Sequence, residues 1–231
     1  KIVQSHNLIF NYFSLGEETA LFNRMVLRAI DASALLGAEN TVIHPVTPPG
    51  VTSRELERCL EMNAQYYYQC IKHSAAQGIT VLTENMMSPR NEEAWHYCDT
   101  TEDLMTLVDA VGEESFGVCF DTGHAHYMGN DIYDTIIKMG KRIKGLHIHD
   151  NNGSDDQHLV MYSGTLDWDR FMKGIVDCGY TGHFALESFR TTIRLPLELK
   201  VGMLREILEI SRFMVSKIEE MRKLKPENYN L

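Results

Sequence analysis

Six short apolar runs in this chain each stop at an imidazole or a carboxylate, and that recurrence limits the fold more than any other feature. The terminal residues are His6 (in IVQSH), His44 (TVIHP), Glu84 (TVLTEN), Asp121 (VCFDTGH), His149 (IKGLHIHD) and Glu187 (HFALES). They follow one another at intervals of 38, 40, 37, 28 and 38 residues, the length of a strand-helix unit in a parallel α/β fold. The runs are continuously apolar rather than alternating. That pattern calls for burial on both faces, as in a parallel sheet covered by helices. Chemical groups at the C-terminal end of every strand mark a (β/α)8 TIM barrel. A doubly wound open sheet, the alternative, would gather them at one switch point.

Helical patterns fill the intervals. Residues 17–36 carry apolar positions at helical spacing and stop at Gly37, which suits a C-cap. Residues 53–77 open on a cap-like Ser-Arg-Glu-Leu-Glu and stop at Gly78. Residues 101–111, 132–139 and 168–178 each precede a glycine, and 197–224 form a long amphipathic helix before a basic, polar tail. Six such units account for all 231 residues, whereas an eight-unit barrel takes about 250 residues or more. About two N-terminal strand-helix units are therefore expected to be missing, and 1–231 reads as one incomplete barrel domain.

With 44% hydrophobic residues the chain has material for one sizeable core. No apolar run approaches the ~20 residues that span a bilayer, and no leader pattern is visible. A cytoplasmic protein without membrane partners is expected. The net charge of -10 disfavours an extended surface for nucleic acid. The five cysteines are Cys59, Cys70, Cys98, Cys119 and Cys178. They are odd in number and form no CxxC, so they read as packing residues of a reduced compartment, not as disulfides or zinc thiolates.

The carboxylates carry the chemistry. Glu84 and Glu187 each end an apolar strand before a small polar residue, Asn85 or Ser188. One such acid alone reads as a helix cap or an arginine partner. Two of them, alternating with Asp121 and His149 at equivalent strand ends, read as a site. Two Glu, one Asp and one His make an oxygen-rich set that suits Mn2+, Mg2+, Co2+ or Zn2+. His124 is an additional candidate for metal or substrate, while His126 lies one step too far. His149 is taken over His147, which is expected on the opposite strand face, because Asp150 and Asn151 mark the strand end directly after His149. Asp156 and His158 stand two apart in the polar loop 150–158 and can aim at one ion. His44, held extended by Pro45, and His6 join as further candidates through the repetition itself. Tyr66, Tyr67 and Tyr68 read as helix packing, and neither GxGxxG nor a P-loop occurs.

The stretches VIHP (42–45), TENM (83–86), CFDTGHAH (119–126), LHIHDN (146–151), DQH (156–158) and ALES (185–188) resemble, in order, the xylose isomerase-like TIM-barrel superfamily. That group includes sugar and sugar-phosphate isomerases and epimerases, and endonuclease IV-type apurinic endonucleases. The epimerase-like resemblance implies one divalent ion on Glu84, Asp121, His149 and Glu187, with Glu84 and Glu187 as the acid-base pair. It further implies an enediolate route on a sugar or sugar phosphate, with His124 and His44 on substrate hydroxyls. The endonuclease-like resemblance implies three zinc ions on His6, His44, Glu84, Asp121, His124, His149, Asp156, His158 and Glu187. The epimerase-like reading leads, because the acidic balance and the lack of a Lys/Arg-rich rim speak against a DNA substrate. A non-catalytic metal- or sugar-binding barrel is the third reading. An open, truncated barrel would leave strand edges exposed, so either the missing segment exists elsewhere or another subunit, as in a homo-oligomer, covers the gap.

Overall fold

The computed structural model describes residues 1–9, 13, 17–51, 55–89 and 95–225. The chain divides into two compact units, residues 1–120 with 142–145 and residues 121–141 with 146–231.

The first unit is a layered strand-helix repeat. Its elements are β1 (Gln4–His6), α1 (Glu17–Leu35), β2 (Asn40–Val42), α2 (Leu56–Ala75), β3 (Thr80–Glu84), α3 (Thr101–Val111), β4 (Phe116–Asp121) and the start of β5 (Ile143–His147). Asp121 and the last two residues of β5 belong to the second unit. Sheet order follows chain order, β1-β2-β3-β4-β5. The first three pairings are parallel, with Gln4 beside Asn40, Asn40 beside Thr80 and Val81 beside Phe116. Every residue of β4 is buried, as a continuously apolar strand between two layers requires.

This sheet is curled. Laid flat, five strands spaced ~4.8 Å apart would hold their edges about 19 Å from each other. Instead Gln4 on β1 reaches Cys119 Sγ on β4 at 3.9 Å. A Cβ placed on Gly145 of β5 would lie 2.7 Å from Gln4 Oε1 and 2.5 Å from Leu82 Cδ1. Edge strands that share one interior mark a sheet on its way round a barrel, and Gly145 leaves the space those side chains fill. Val42, Leu82 and Cys119 form a buried cluster there. From α2, the fully buried Tyr67 donates its hydroxyl to the Ile43 carbonyl (2.7 Å) and lies 2.9 Å from Thr83 Oγ1. Asn63 pairs with both backbone groups of Val46 (2.9 and 2.8 Å), which fixes the chain just after His44.

The second unit holds α4 (Thr122–Tyr127), α5 (Ile132–Met139), α6 (Trp168–Asp177), α7 (Arg190–Ile193) and α8 (Leu197–Leu224). Asp131 and Asp167 cap α5 and α6 by accepting from the amides of Asp134 and Arg170, the role short acids play at helix starts. α6 buries Trp168, Phe171, Met172 and Ile175 and packs on α5 and α8.

The helices over 101–111, 132–139 and 197–224 have the expected bounds. The cap-like Ser53 lies outside the described residues, and Glu55 before α2 makes no side-chain cap bond. The sixth expected strand is a correction. The run before Glu187 is reduced to one parallel bridge, Leu186 with Ile148, made by Ile148 N to Ala185 O (2.9 Å) and Glu187 N to Ile148 O (3.0 Å). Residues 184–187 are only half-buried and, among the described residues, are paired on one side, so the two-sided cover of a barrel strand is lacking. All five cysteines are free thiols, four of them buried. No helix among the described residues is long and apolar enough to cross a membrane.

Tyr67→Phe should lower stability by about 1–3 kcal/mol, the cost of stranding buried partners of a lost hydroxyl. The measurement is the urea midpoint at constant m-value. An unchanged midpoint would show that the hydroxyl does not tie α2 to the sheet.

Candidate functional site

The second unit builds its cluster from the end of β4. Asp121 is fully buried and caps α4, its Oδ1 accepting from the His124 amide at 2.7 Å. The same carboxylate faces His149, whose Nε2 lies 3.0 Å from Oδ1 and 3.1 Å from Oδ2. Thr122 fixes that approach: its hydroxyl donates to the His149 carbonyl (2.8 Å) and accepts from the His149 amide (3.1 Å). Gly123 makes room for the ring. A Cβ at that position would sit 1.9 Å from His149 Cε1 and 2.3 Å from Nδ1.

The loop 150–166 brings in the next residues. Asp150 is a fully buried organiser that accepts from Asn151 N (2.8 Å), Gly164 N (2.9 Å), Leu166 N (3.2 Å) and Trp168 Nε1 (3.0 Å). His158, in the left-handed region at φ 46, stacks on the His149 ring at 4.0 Å. Its Nε2 meets Asp156 Oδ2 at 2.8 Å and its Nδ1 meets the Glu187 carbonyl at 3.0 Å. A strained backbone held by two polar contacts and a ring stack is typical of a functional position.

Three groups of metal-ligand type result, each with one donor atom per residue and all donors within 4.8 Å: Asp121, His124 and His149; His149, His158 and Glu187; Asp121, His147 and Glu187. Asp121, His149 and Glu187 each occur in two of the three, so these strand-end residues link the cluster. Burial pushes the His149 ring toward the neutral form. The charge and hydrogen bond of Asp121 outweigh it, with Asp156 and Glu187 adding to them, and the pKa rises to about 9. Burial also pushes Asp156 up, but the hydrogen bond from His158 and the charges of His124, His158 and His149 hold it below the usual carboxylate value. His126 stands apart: it bonds Thr165 Oγ1 at 2.9 Å, and burial lowers its pKa.

The first unit has its own cluster of strand-end residues. His6 Nε2 lies 3.0 Å from His44 Nε2, with the rings edge-on at 4.8 Å. Both rings face Glu84 Oε2, at 3.7 Å from His6 and 3.2 Å from His44. Glu84 itself is almost wholly buried.

The expectation that His147 faces away from the site is corrected. Residues two apart on a strand share a face, and His147 Nδ1 lies 3.4 Å from Glu187 Oε1. The alternation HxH after an apolar run was the signal that could have found it. Thr122, Gly123 and Asp150 were also missed as residues that position the cluster.

The chain belongs to the xylose isomerase-like TIM barrel family, whose model matches residues 2–209. An uncharacterised protein of Methanocaldococcus jannaschii is 29% identical over 195 residues, 84% of this chain and 64% of that protein. The inosose isomerase of Bacillus velezensis is 25% identical over 157 residues, 64% of this chain and 54% of that enzyme. The chain thus spans between half and two thirds of the length of these relatives. Among solved structures, a D-tagatose 3-epimerase-like protein superposes with a TM-score of 0.78 at 23% identity, covering 95% of this chain and 79% of that one. The IolI protein with a bound zinc atom superposes at 0.73 and 17% identity, covering 94% and 75%. Both likenesses are of fold.

Gly123→Ala should displace the His149 ring and lower stability by about 1–3 kcal/mol, the usual cost of an overpacked core. Thermal unfolding gives the loss, and the imidazole resonances of His149 report the displacement. A variant with wild-type stability and an unmoved His149 would show that Gly123 is not needed for the ring's position.

Proposed function

We propose that this chain is the core of a divalent-metal-dependent sugar isomerase or epimerase, with Asp121, His149 and Glu187 holding the ion. The observation that carries the reading is their linked position in three overlapping donor groups within one unit. The donor set fits such an ion. It is made of carboxylate oxygens and imidazole nitrogens with no thiolate, as suits Mn2+, Mg2+, Co2+ or Zn2+. Two buried atoms beside it, His149 Nδ1 and Asp156 Oδ1, have no hydrogen-bond partner, and buried polar atoms are rarely left so. The family match, the relative named inosose isomerase and the zinc-bearing IolI structure support the same reading.

Bound there, the cation would supply Lewis acidity to a substrate carbonyl oxygen. The other roles fall to side chains. Glu187 is partly exposed, at 24% of its side chain, so a substrate can reach it. It is proposed to exchange the proton on the carbon beside the carbonyl, the general acid-base step of an enediolate route. Glu84, in the first unit, keeps as a proposal the acid-base role that the epimerase-like resemblance implies. His124, at the start of α4, is proposed to donate to a substrate hydroxyl.

A second reading, a zinc phosphodiesterase, is favoured by two observations: Asp156 and His158 pair with each other against His149 in the second unit, and His6, His44 and Glu84 cluster in the first. One set of variants tests both readings. Asp121→Asn and His149→Ala should each weaken binding of one ion by at least the ~10- to 100-fold seen when a ligand's supporting partner is lost. Elemental analysis after dialysis measures it, and unchanged metal content in both variants sinks the three-residue site. Glu187→Gln and Glu84→Gln should abolish ketose isomerisation in a sugar screen. Asp156→Ala and His158→Ala should change substrate affinity and leave the ion bound. Loss of zinc from the His158 variant, together with cleavage of abasic DNA by the parent, would establish the phosphodiesterase instead.

A further inference from the structure

A cavity of about 500 Å3 in the second unit takes no part in the chemistry above. Phe189 forms one wall, and its ring lies 4.5 Å from His158, which stacks on His149. The cavity is therefore one aromatic wall away from the donor cluster. Arg190 and Arg194 line it from the other side. They are four residues apart, at the first position of α7 and its C-cap, so they project from the same side of that turn. Thr191 anchors the turn by accepting from the Val160 amide at 3.0 Å.

The two guanidinium groups have no ion pair or hydrogen bond among the described residues. Arg58, Arg142, Arg170 and Arg212 are each matched with an acid; Arg190 and Arg194, like Arg24 and Arg205, are not matched among the described residues, and what sets this pair apart is the cavity the two share. Leaving two adjacent arginines unmatched in an acidic protein maintains a local positive potential. Gln157 on the same wall accepts from Asn152 N through Oε1 (2.9 Å), which leaves its amide NH2 as a neutral donor. One acid, Asp155, also lines the cavity. Two cations, one anion and an amide donor sum to a site for a negative group, and arginine forks match phosphate and carboxylate oxygens alike.

We propose that this cavity binds the anionic terminal group of the substrate, through Arg190 and Arg194 with Gln157 as a third donor. The substrate class is then a sugar carrying a phosphate or carboxylate at the end remote from its carbonyl. This rests on the proposed function for the reacting end alone; anion binding itself does not depend on turnover.

Calorimetric titration of the metal-loaded protein with inorganic phosphate, fructose 6-phosphate, fructose and glucuronate tests it. At least one anionic probe should bind about tenfold or more tighter than fructose, the effect of one charge-assisted contact worth ~1.4 kcal/mol. Arg190→Gln/Arg194→Gln should abolish that preference with metal content and circular dichroism unchanged, and Asp155→Asn should strengthen it. A preference for phosphate probes identifies a phosphate ester, and one for glucuronate a sugar acid. The proposal is overturned if none of the three anionic probes binds the double variant more weakly than the parent. A lost preference in the double variant, with no isomerisation of any sugar by the parent, keeps the anion site and refutes the isomerase reading. Isomerisation of free ketoses without any anion preference does the reverse.

Discussion

Asp121 is a carboxylate with no solvent exposure at the end of a strand buried throughout, and the second unit is organised around meeting its charge. The idealised cost of moving such an ion into a protein interior is on the order of 20 kcal/mol. Hydrogen bonds to a charged group return about 1.5–3 kcal/mol each. The His124 amide alone cannot offset that burial, so a positive group must lie beside the acid. His149 lies there, its pKa raised to about 9 despite burial; in the proposed site a bound cation would meet the same charge and leave the imidazole neutral. The neighbours of Asp121 follow from this pairing. Thr122 grips both backbone groups of His149, and Gly123 gives up its side chain so that the ring can enter. The sequence Asp-Thr-Gly-His is thus one device, a capping acid, a clamp, a space and an amide donor, read along four residues.

A second buried acid does the same work for the loop. Asp150 accepts four hydrogen bonds from three backbone amides and the Trp168 indole. A nine-residue polar run such as 150–158 would by itself be a solvated turn. Tied to a buried carboxylate and to α6, it carries Asp156 and His158 onto the His149 ring. His158 can hold a left-handed backbone there because its ring is stacked and both of its nitrogens are engaged.

Much of this was legible in the sequence because strand ends and helix ends are set locally. Gly112 ends α3 with a left-handed φ of 62, a signal that lies within the helix's own neighbours. Strand positions came from continuous apolar runs, which report burial directly. The reading failed where burial depends on a partner. HFALES is as apolar as the other runs, yet its half-buried, one-sided position leaves a single bridge. His147 was lost to a parity error, since spacing of two keeps a strand residue on the same face. Thr122 and Gly123 act through contacts with a residue more than 25 positions away, which no local pattern reports.

The same division explains why a class of chemistry can be read from this chain more readily than a substrate. The acids and imidazoles stand at strand ends, where the backbone is fixed by its neighbours and the spacing repeats along the sequence. Arg190, Arg194 and Gln157 stand on a four-residue helical turn and a loop, where neither periodicity nor spacing sets them apart from any solvated charge. Their significance comes only from three facts of the fold: a shared cavity, the absence of matching acids among the described residues, and an aromatic wall in contact with His158. Rigid elements carry the reacting groups and loops carry selectivity. The residues proposed to choose the substrate are therefore the ones whose role emerges last, when side chains distant in sequence are seen to line one space.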